Sequence, residues 1–582
     1  MFHHLKCFKP NALPKDNTDA IQKLVNVSRA IFMNVFFTSN KPPRFPERWV
    51  ERLLWFVLLA GMALSAWQTM NLINPDSLGY MRAAFYYAIG RWDLAVNGYW
   101  GPMTSWLIVP FYKAGLDLEF AEQAVVLLSG AFFYATSRRL MRRLGLSKGE
   151  LLAASMVLVL YIIGQTHTRS TDMLVAGWLA LAAGLMLGPT YGRDVRVAML
   201  SGICWGCAYL AKSIALPAGL AGILVFHLLL RYADGARGGV TIRWRSLAMV
   251  YLAFLAVSSV WIVVLSQKYD RVTFSTSGRI AHAISYPGVE EHESTYYRFH
   301  DPDPGRVTQW EEPSVLPYHY WSPFDSARDM RIQLGIINVN TRIMLYRLSE
   351  IDLFALCISS LLGVWLVSKP WTSLPLLYYR WQWGALICVI YLWPYLLTFA
   401  GPERYLDPSI PYFIAGTFGL AGWLVRQMPQ HYSEKNRRWV LAAVVLSFVF
   451  SPALRVVFAI RPVSKERKEN SLSLHLRKVL NDQKGPVAGG GSQGMSVAFY
   501  LNQSWHGEER SAPVEKFHEM ATRVRWFLVP LNRRAELAAD PLLVDRTDLL
   551  EPRATYWGYG LLESKAWSGP STVLNHDHGS RP

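Results

Sequence analysis

Long apolar runs separated by short polar turns dominate the chain. They lie near residues 53–70, 121–137, 151–165, 172–189, 197–211, 214–230, 246–265, 351–367, 383–399, 409–425 and 438–460. Each approaches the length, roughly 17 to 25 residues, that lets an α-helix cross a hydrocarbon core of about 30 Å. The pattern predicts an all-α polytopic membrane bundle of about eleven transmembrane helices. A further apolar run, Trp100 to Gly115, carries Pro102 and Pro110 and reads as a helix lying in the membrane interface. No repeat of fixed period runs through the chain, so a solenoid or an inverted-repeat transporter gains no support.

Three polar regions interrupt this pattern. Residues 1–49 lack the continuous apolar core of a signal peptide and read as a cytoplasmic tail with one amphipathic stretch from Ile21 to Phe37. Residues 266–350 read as a long outer loop within a transmembrane domain spanning 50–460, whose first outer loop is 71–120. Residues 461–582 follow the last run and predict a small extracytoplasmic α/β domain, with strand-like segments at Val497-Ala498-Phe499-Tyr500 and Val524 to Val529.

The basic residues set the orientation, because short cytoplasmic loops retain Lys and Arg. With the N-terminus inside, the inner segments hold groups such as Arg138, Arg139, Arg142, Arg143 and Lys148, whereas the short outer segments hold only Arg82, Arg91, Lys113, Arg169, Lys212 and Arg404. The formal charge of +17 would suggest nucleic acid for a soluble protein. Here it is a topology signal, and no nucleic-acid partner is expected. With 52% hydrophobic, 13% aromatic and only 17% charged residues in 582, a disordered chain or an ordinary soluble enzyme is excluded. The five cysteines are scattered and form no disulfide framework.

Against that topology the polar residues at the ends of the runs gather on one side. The first outer loop opens with Asn74-Pro75-Asp76-Ser77 and continues through Tyr80 and Arg82 to Gly98-Tyr99-Trp100-Gly101-Pro102. The second contains His167-Thr168-Arg169-Ser170-Thr171-Asp172, the third Lys212-Ser213, and a later one Pro402-Glu403-Arg404-Tyr405-Leu406-Asp407-Pro408. Ionisable groups at membrane depth are costly and mark function. Each also has a plain structural use: Asp76 and Asp172 as helix caps, Lys212 as a snorkelling side chain, and Arg404 as a ligand for lipid phosphate.

The order of these elements resembles the integral-membrane glycosyltransferases of the GT-C superfamily, which include protein O-mannosyltransferases, lipid A aminoarabinose transferases and rhizobial lipopolysaccharide sugar transferases. The Asp after the first span, the Gly-x-Trp-Gly-Pro stretch, the second Asp behind an Arg-containing turn, Leu210-Ala211-Lys212 and the Arg-Tyr-x-x-Pro element at Arg404 carry the resemblance. It departs in having one Asp in the first loop where some members have an acidic pair. The resemblance implies transfer of a sugar from a polyprenyl-phosphate donor to an extracytoplasmic glycan, glycolipid or protein. In that reaction Asp76 suits the general base. Lys212 and Arg404, with Arg82 in reserve, suit the growing charge of the leaving phosphate. For Asp172 three uses stay open: positioning the acceptor, pairing with Arg169, or helping to bind a divalent cation. His167 with one Asp does not define a metal site, so no cofactor is assigned and the metal is left open.

Tyr80, Trp100, His167, Arg169, Glu403, Tyr405, Tyr320 and Trp321 complete the expected substrate-binding set, with Trp310 nearby and Glu290, Glu291, Glu311 and Glu312 set to contact polar acceptors. Ordinary packing of Trp and Tyr at a membrane interface competes with the aromatic part of this reading. Gly489-x-Gly491-x-x-Gly494 has the spacing of a dinucleotide fingerprint but reads as a Gly-rich turn, and Cys204-x-x-Cys207 sits in an apolar span as two small hydrophobes. A transporter or flippase is the alternative, and an inactive assembly scaffold a third reading. Ionisable residues at the outer span ends rather than the midplane favour the enzyme. The expected location is a bacterial inner membrane with the site on the periplasmic side.

Overall fold

The computed structural model describes residues 47–569, apart from 71–72, 236–243, 288–297, 369–375, 400, 428–442, 444–445, 450–451, 455, 457–471 and 552–553. The stretch Ile21 to Phe37, Glu290, Glu291 and most of the run at 438–460 lie outside these residues.

Apolar helices dominate, as the runs predict: α1 Glu47–Gln68, α2 Pro75–Ala88, α3 Pro102–Lys113, α4 Leu118–Arg143, α5 Lys148–Gln165, α6 Asp172–Met186, α7 Val195–Ala211, α8 Ala215–Gly235 and α9 Trp244–Lys268. After a short helix, α10 Ser277–Ala283, come α11 Ala327–Ser368, α12 Leu376–Leu397 and α13 Ile410–Gln427. Four helices among the described residues are long and apolar enough to cross a membrane: Arg48–Gln68, Leu118–Arg143, Lys148–Thr168 and Trp244–Lys268. Helix α11 begins at Ala327, well before the apolar run at 351–367. Its early turns carry Arg328, Asp329, Arg331, Asn338 and Asn340, which lower local hydropathy without breaking the helix.

Local signals set the helix starts. Ser147 and Glu150 form a reciprocal capping box at α5, Asp117 accepts from the Phe120 N–H at α4, and Asn74 caps α2 with Pro75 at its first position. The apolar run after Gly101 forms α3, which packs against α2 and α4 with Pro110 inside it.

The C-terminal region is a small α/β unit. Four strands, β1 Val487–Gly489, β2 Trp526–Pro530, β3 Leu543–Asp545 and β4 Tyr559–Ser564, lie in the order β1-β2-β4-β3, with β1 and β2 parallel and the other pairs antiparallel. The expected strand at Val497 to Tyr500 is instead part of helix α15 Gly491–Leu501, preceded in this region by α14 Leu472–Val479. A short apolar run has no periodicity that separates strand from helix. What decides it is the turn before it: Gly489, Gly490 and Gly491 all have positive φ and reverse the chain directly from β1 into α15. This is a strand, Gly-rich turn and helix, yet Glu508 occupies the helix start, its Oε2 only 3.0 Å from where a Cβ on Gly491 would stand. A bound phosphate would meet a carboxylate there.

One apolar cluster joins this unit to the bundle, with Leu78, Phe85 and Tyr86 of α2 sharing a core with Val307, Leu476, Met495, Phe499 and Trp505. Helix α2 is thus gripped from both sides. Gly101 sits where the chain before α3 crosses the end of α7: a Cβ there would lie 2.5 Å from the Ala211 carbonyl oxygen and 2.6 Å from that of Leu210. Neither backbone atom can swing aside. Gly101→Ala is therefore expected to destabilise the purified protein by about 1–3 kcal/mol, the usual cost of overpacking, read as a lowered Tm; an unchanged Tm would show that the crossing is loose.

Candidate active site

Two helix N-termini are tied together at one end of the bundle. Asn74 Oδ1 accepts the Asp76 N–H at 3.0 Å, while its Nδ2 donates to the Thr168 carbonyl at 2.9 Å. Ser77 Oγ donates to the Arg169 carbonyl at 2.7 Å, and Thr104 and Thr171 hydroxyls meet at 2.7 Å. The start of α2 is thereby pinned to the turn that leads into α6. Asp76 and Asp172 each sit in the first turn of their helix, where the partial positive charge of the N-terminus favours a carboxylate. Neither is the capping residue: Asn74 caps α2, and Thr171 precedes α6.

Their carboxylates are instead spent on two cations. Arg404 donates to Asp76 Oδ2, and its Nε lies 3.4 Å from Asp172 Oδ2. Lys212 Nζ lies 2.5 Å from Asp172 Oδ1. The result is a chain of alternating charge, Asp76, Arg404, Asp172, Lys212, drawn from four separate segments. Asp172 is 2% exposed at its side chain, Arg404 14%, Lys212 22% and Asp76 23%, so the chain runs from a buried centre to open ends. Burial is the largest influence on Lys212 and works against its charge, but Asp172, Tyr395 and Tyr405 together outweigh it and hold the ammonium well above its ordinary range. Burial likewise opposes the Arg404 charge, which Asp76 and Asp172 restore and strengthen.

Aromatic rings wall this network. Tyr405 and Tyr395 stack with centroids 4.2 Å apart, and the Lys212 ammonium lies 4.3 Å from the Tyr405 ring and 5.5 Å from that of Tyr395. Tyr80 and Tyr99 are close enough to feel Asp76, and burial pushes both phenols up. Trp100 packs edge-on to Tyr80, with ring centroids 5.3 Å apart. Beneath the network, Tyr161 donates to Asp407 at 2.6 Å, and burial first, then the nearby Asp172, raises the Asp407 carboxyl well above the usual range. Among the described residues no three His, Cys, Asp or Glu side chains gather in a way that could hold a metal ion.

The structure thus brings together Asp76, Asp172, Lys212, Arg404, Tyr405 and Tyr80, with Trp100 behind Tyr80. Glu403 accepts from Gln165 at 3.0 Å, and the exposed His167 bonds the Gly164 carbonyl through Nδ1 at 2.5 Å. Arg169, held at φ 47, turns away from Asp172 to pair with Glu122 at 2.7 Å and Glu119 at 3.5 Å, and Tyr500 of α15 donates to that same Glu119 at 3.0 Å. Arg82 is 2% exposed and pairs with Glu311 and Tyr86 rather than with the network. Tyr320 lies under Arg279 and Trp321 stacks on His282, so both engage α10. The expectation that Glu311 and Glu312 contact an acceptor is corrected: both are almost fully buried, Glu311 against Arg82 and Arg306, and Glu312 against Lys268 and Arg306. They act as ties. Sequence reasoning missed Tyr395, because it sits inside an apolar run, and gave Asp407 no role.

No family model matches the sequence, and no curated protein matches it. The likeness is one of fold. The chain superposes on ArnT from Cupriavidus metallidurans bound to undecaprenyl phosphate with a TM-score of 0.50 and 14% identity, over 89% of this chain and 99% of that one. It also superposes on the Archaeoglobus fulgidus oligosaccharyltransferase in the apo form with a TM-score of 0.52 and 11% identity, over 85% of this chain and 71% of the other. At 11–14% identity, what the chain shares with these two structures is the overall fold.

The placement of Arg82 yields a prediction. Removing one partner of a buried ion pair leaves the other charge uncompensated at about 3–5 kcal/mol, so Arg82→Met should lower Tm sharply while Arg82→Met combined with Glu311→Leu recovers much of the loss. A phosphate-binding Arg82 would instead tolerate Met with an unchanged Tm.

Proposed function

We propose that this protein is a membrane glycosyltransferase that moves a sugar from a polyprenyl-phosphate carrier to a hydroxyl-bearing acceptor outside the cytoplasm. The observation that carries the reading is the paired network of Asp76, Arg404, Asp172 and Lys212, walled by tyrosines and opening at Asp76. The acceptor class is a glycan, glycolipid or protein.

In this reading the bond from the sugar C1 to the phosphate oxygen breaks as the bond from C1 to the acceptor oxygen forms. The acceptor proton passes to Asp76, the more open of the two carboxylates. Charge growing on the departing phosphate is met by Arg404 and Lys212, which already stand at the same point held by carboxylates. Asp172 keeps both cations in place from below, and Tyr80, Tyr99, Tyr395 and Tyr405 offer ring faces and hydroxyls to the sugar. His167, Arg169 and Arg82 fall outside these roles.

The same reading takes the chain as about eleven crossings, with a cytoplasmic segment 1–49, a membrane domain 50–460 and a region 461–582 that shares the outer side with the site. A bacterial inner membrane, with the site facing the periplasm, fits the distribution of Lys and Arg.

Asp76→Asn tests the base. It keeps the shape and removes the proton acceptor, so turnover should fall by about 10²–10⁴-fold with donor binding nearly unchanged. Turnover within a few-fold of the parent would remove Asp76 and pass the assignment to Asp172.

The two cations are tested separately. Lys212→Ala and Arg404→Ala should each weaken binding of a polyprenyl phosphate to folded protein by about 1.5–3 kcal/mol, the range for hydrogen bonds to charged groups. Unchanged affinity in both would leave them as partners of the aspartates alone.

A further inference from the structure

Arg169, one of the basic residues expected to meet substrate, joins a buried guanidinium to a strained backbone where the bundle meets the C-terminal unit. Its side chain is 1% exposed, so no face of it is open to a ligand. Its φ of 47 is a conformation that glycine or asparagine adopts at far less cost. The side chain, and not the turn, is what calls for an arginine here. That side chain holds the first turns of α4 at two points: Nε and Nη2 lie 2.8 and 2.7 Å from Glu122 Oε2, and Nη1 lies 3.5 Å from Glu119 Oε1.

The backbone of the same turn holds the start of α2. The Arg169 carbonyl accepts from Ser77 Oγ at 2.7 Å and the Thr168 carbonyl from Asn74 Nδ2 at 2.9 Å, while Asn74 Oδ1 takes the Asp76 N–H at 3.0 Å. Three residues after Arg169 the chain enters α6 at Asp172. A shift of this turn therefore moves the helix starts that present both aspartates. Glu119, in turn, is shared: Tyr500 on α15 of the C-terminal unit donates to the same Oε1 at 3.0 Å. Direct contacts thus run from Tyr500 through Glu119 to Arg169, and from its turn to Ser77 and Asp172. Hydrogen bonds to an ionised carboxylate are short, directional and about twice as strong as neutral ones, so the path can fix position.

We propose that Arg169 is a positioning residue of the candidate active site, and that Tyr500 is the contact through which the C-terminal unit sets that position. Seated on the bundle, the unit fixes Glu119, then the Arg169 turn, and through that turn the placement of Asp76 relative to Asp172. The catalytic consequence rests on the glycosyltransferase reading; the coupling itself does not.

Amide hydrogen exchange of the full chain in lipid nanodiscs reads the coupling directly. Tyr500→Phe keeps the ring and removes one hydrogen bond to a carboxylate. It should speed exchange in residues 74–82 and 166–176 by about tenfold, while helices away from the turn, such as α9, keep the parent rates. Arg169→Gly suits the backbone but lacks the guanidinium, and should speed exchange in the same two segments further. Unchanged exchange there in Tyr500→Phe overturns the proposal, and so does a rise spread evenly over the bundle, which marks general loosening. If Arg169→Gly fails to fold, Tyr500→Phe decides alone. Turnover gives the second readout: Tyr500→Phe should lower it by about tenfold with binding of undecaprenyl phosphate unchanged. Unchanged turnover, or weakened binding of that lipid, overturns the positioning role. A parent protein without transferase activity would instead sink the glycosyltransferase reading, and the exchange result would still decide the coupling.

Discussion

Four charges cannot be held at the edge of a membrane unless each has a partner, and that constraint organises one end of this protein. An uncompensated ion in a low-dielectric setting costs several kcal/mol. Asp172, almost wholly buried, is tolerable only with Lys212 and Arg404 against it, and Arg404 in turn holds Asp76. Each of the four comes from a different segment: the start of α2, the start of α6, the end of α7 and the turn before α13. Satisfying the charges therefore fixes where those segments meet. The close crossing of Gly101 over Leu210 and Ala211 is part of the same requirement, because a side chain there would push the Lys212 turn away from Asp172.

A second set of ion pairs holds the walls in place. The segment from Arg298 to Glu312 runs as a strap between the C-terminal unit and α2. At one end Arg298 pairs with Glu509, the His300 N–H donates to the His506 carbonyl, and Asp301 is held by His506 and Arg523. The Asp301 carboxyl is lowered to about 2, chiefly by its hydrogen bond to His506. At the other end Glu311 takes Arg82 and Tyr86 of α2, and the Trp310 carbonyl accepts from the Trp100 indole at 3.1 Å. The helix that presents Asp76 is therefore anchored by the soluble unit through buried contacts. Tyr500 adds a second link through Glu119 to Arg169. Arg169 is bent into the left-handed region at φ 47, a conformation that persists only where its surroundings enforce it.

The sequence made the bundle legible because a membrane leaves few choices: apolar runs of sufficient length must be helices. It also exposed the candidate site in outline, since Asp76, Asp172, Lys212 and Arg404 interrupt run ends where charge is unexpected. Partners were harder to read. Arg82 and Arg169 carry the same charge as Arg404, and only the fold shows that Glu311, Glu119 and Glu122 claim them. Those acids lie 47 to 229 positions away in sequence, or within helices that read as ordinary apolar spans. The strand expected at Val497 failed for a related reason, because three consecutive glycines fix the chain direction before its apolar pattern matters. Tyr395 was hidden by its own burial: an aromatic near the end of an apolar run looks like core until its stacking partner, Tyr405, is in view.

Under the proposed reaction, the unequal burial of the two aspartates separates their work. A proton acceptor has to reach a substrate and change charge during reaction, which suits the side chain with 23% exposure and a single cation. Asp172, at 2% exposure, stands between two cations: without its charge Lys212 would lose its partner and Arg404 would keep Asp76 alone. Both aspartates lie in the first turn of a helix, so what differs between them is the number of cations they meet and their access to solvent. Under the proposed reaction, one buried carboxylate and one accessible carboxylate on a shared arginine hold cations for a phosphate while keeping a base within reach of an acceptor.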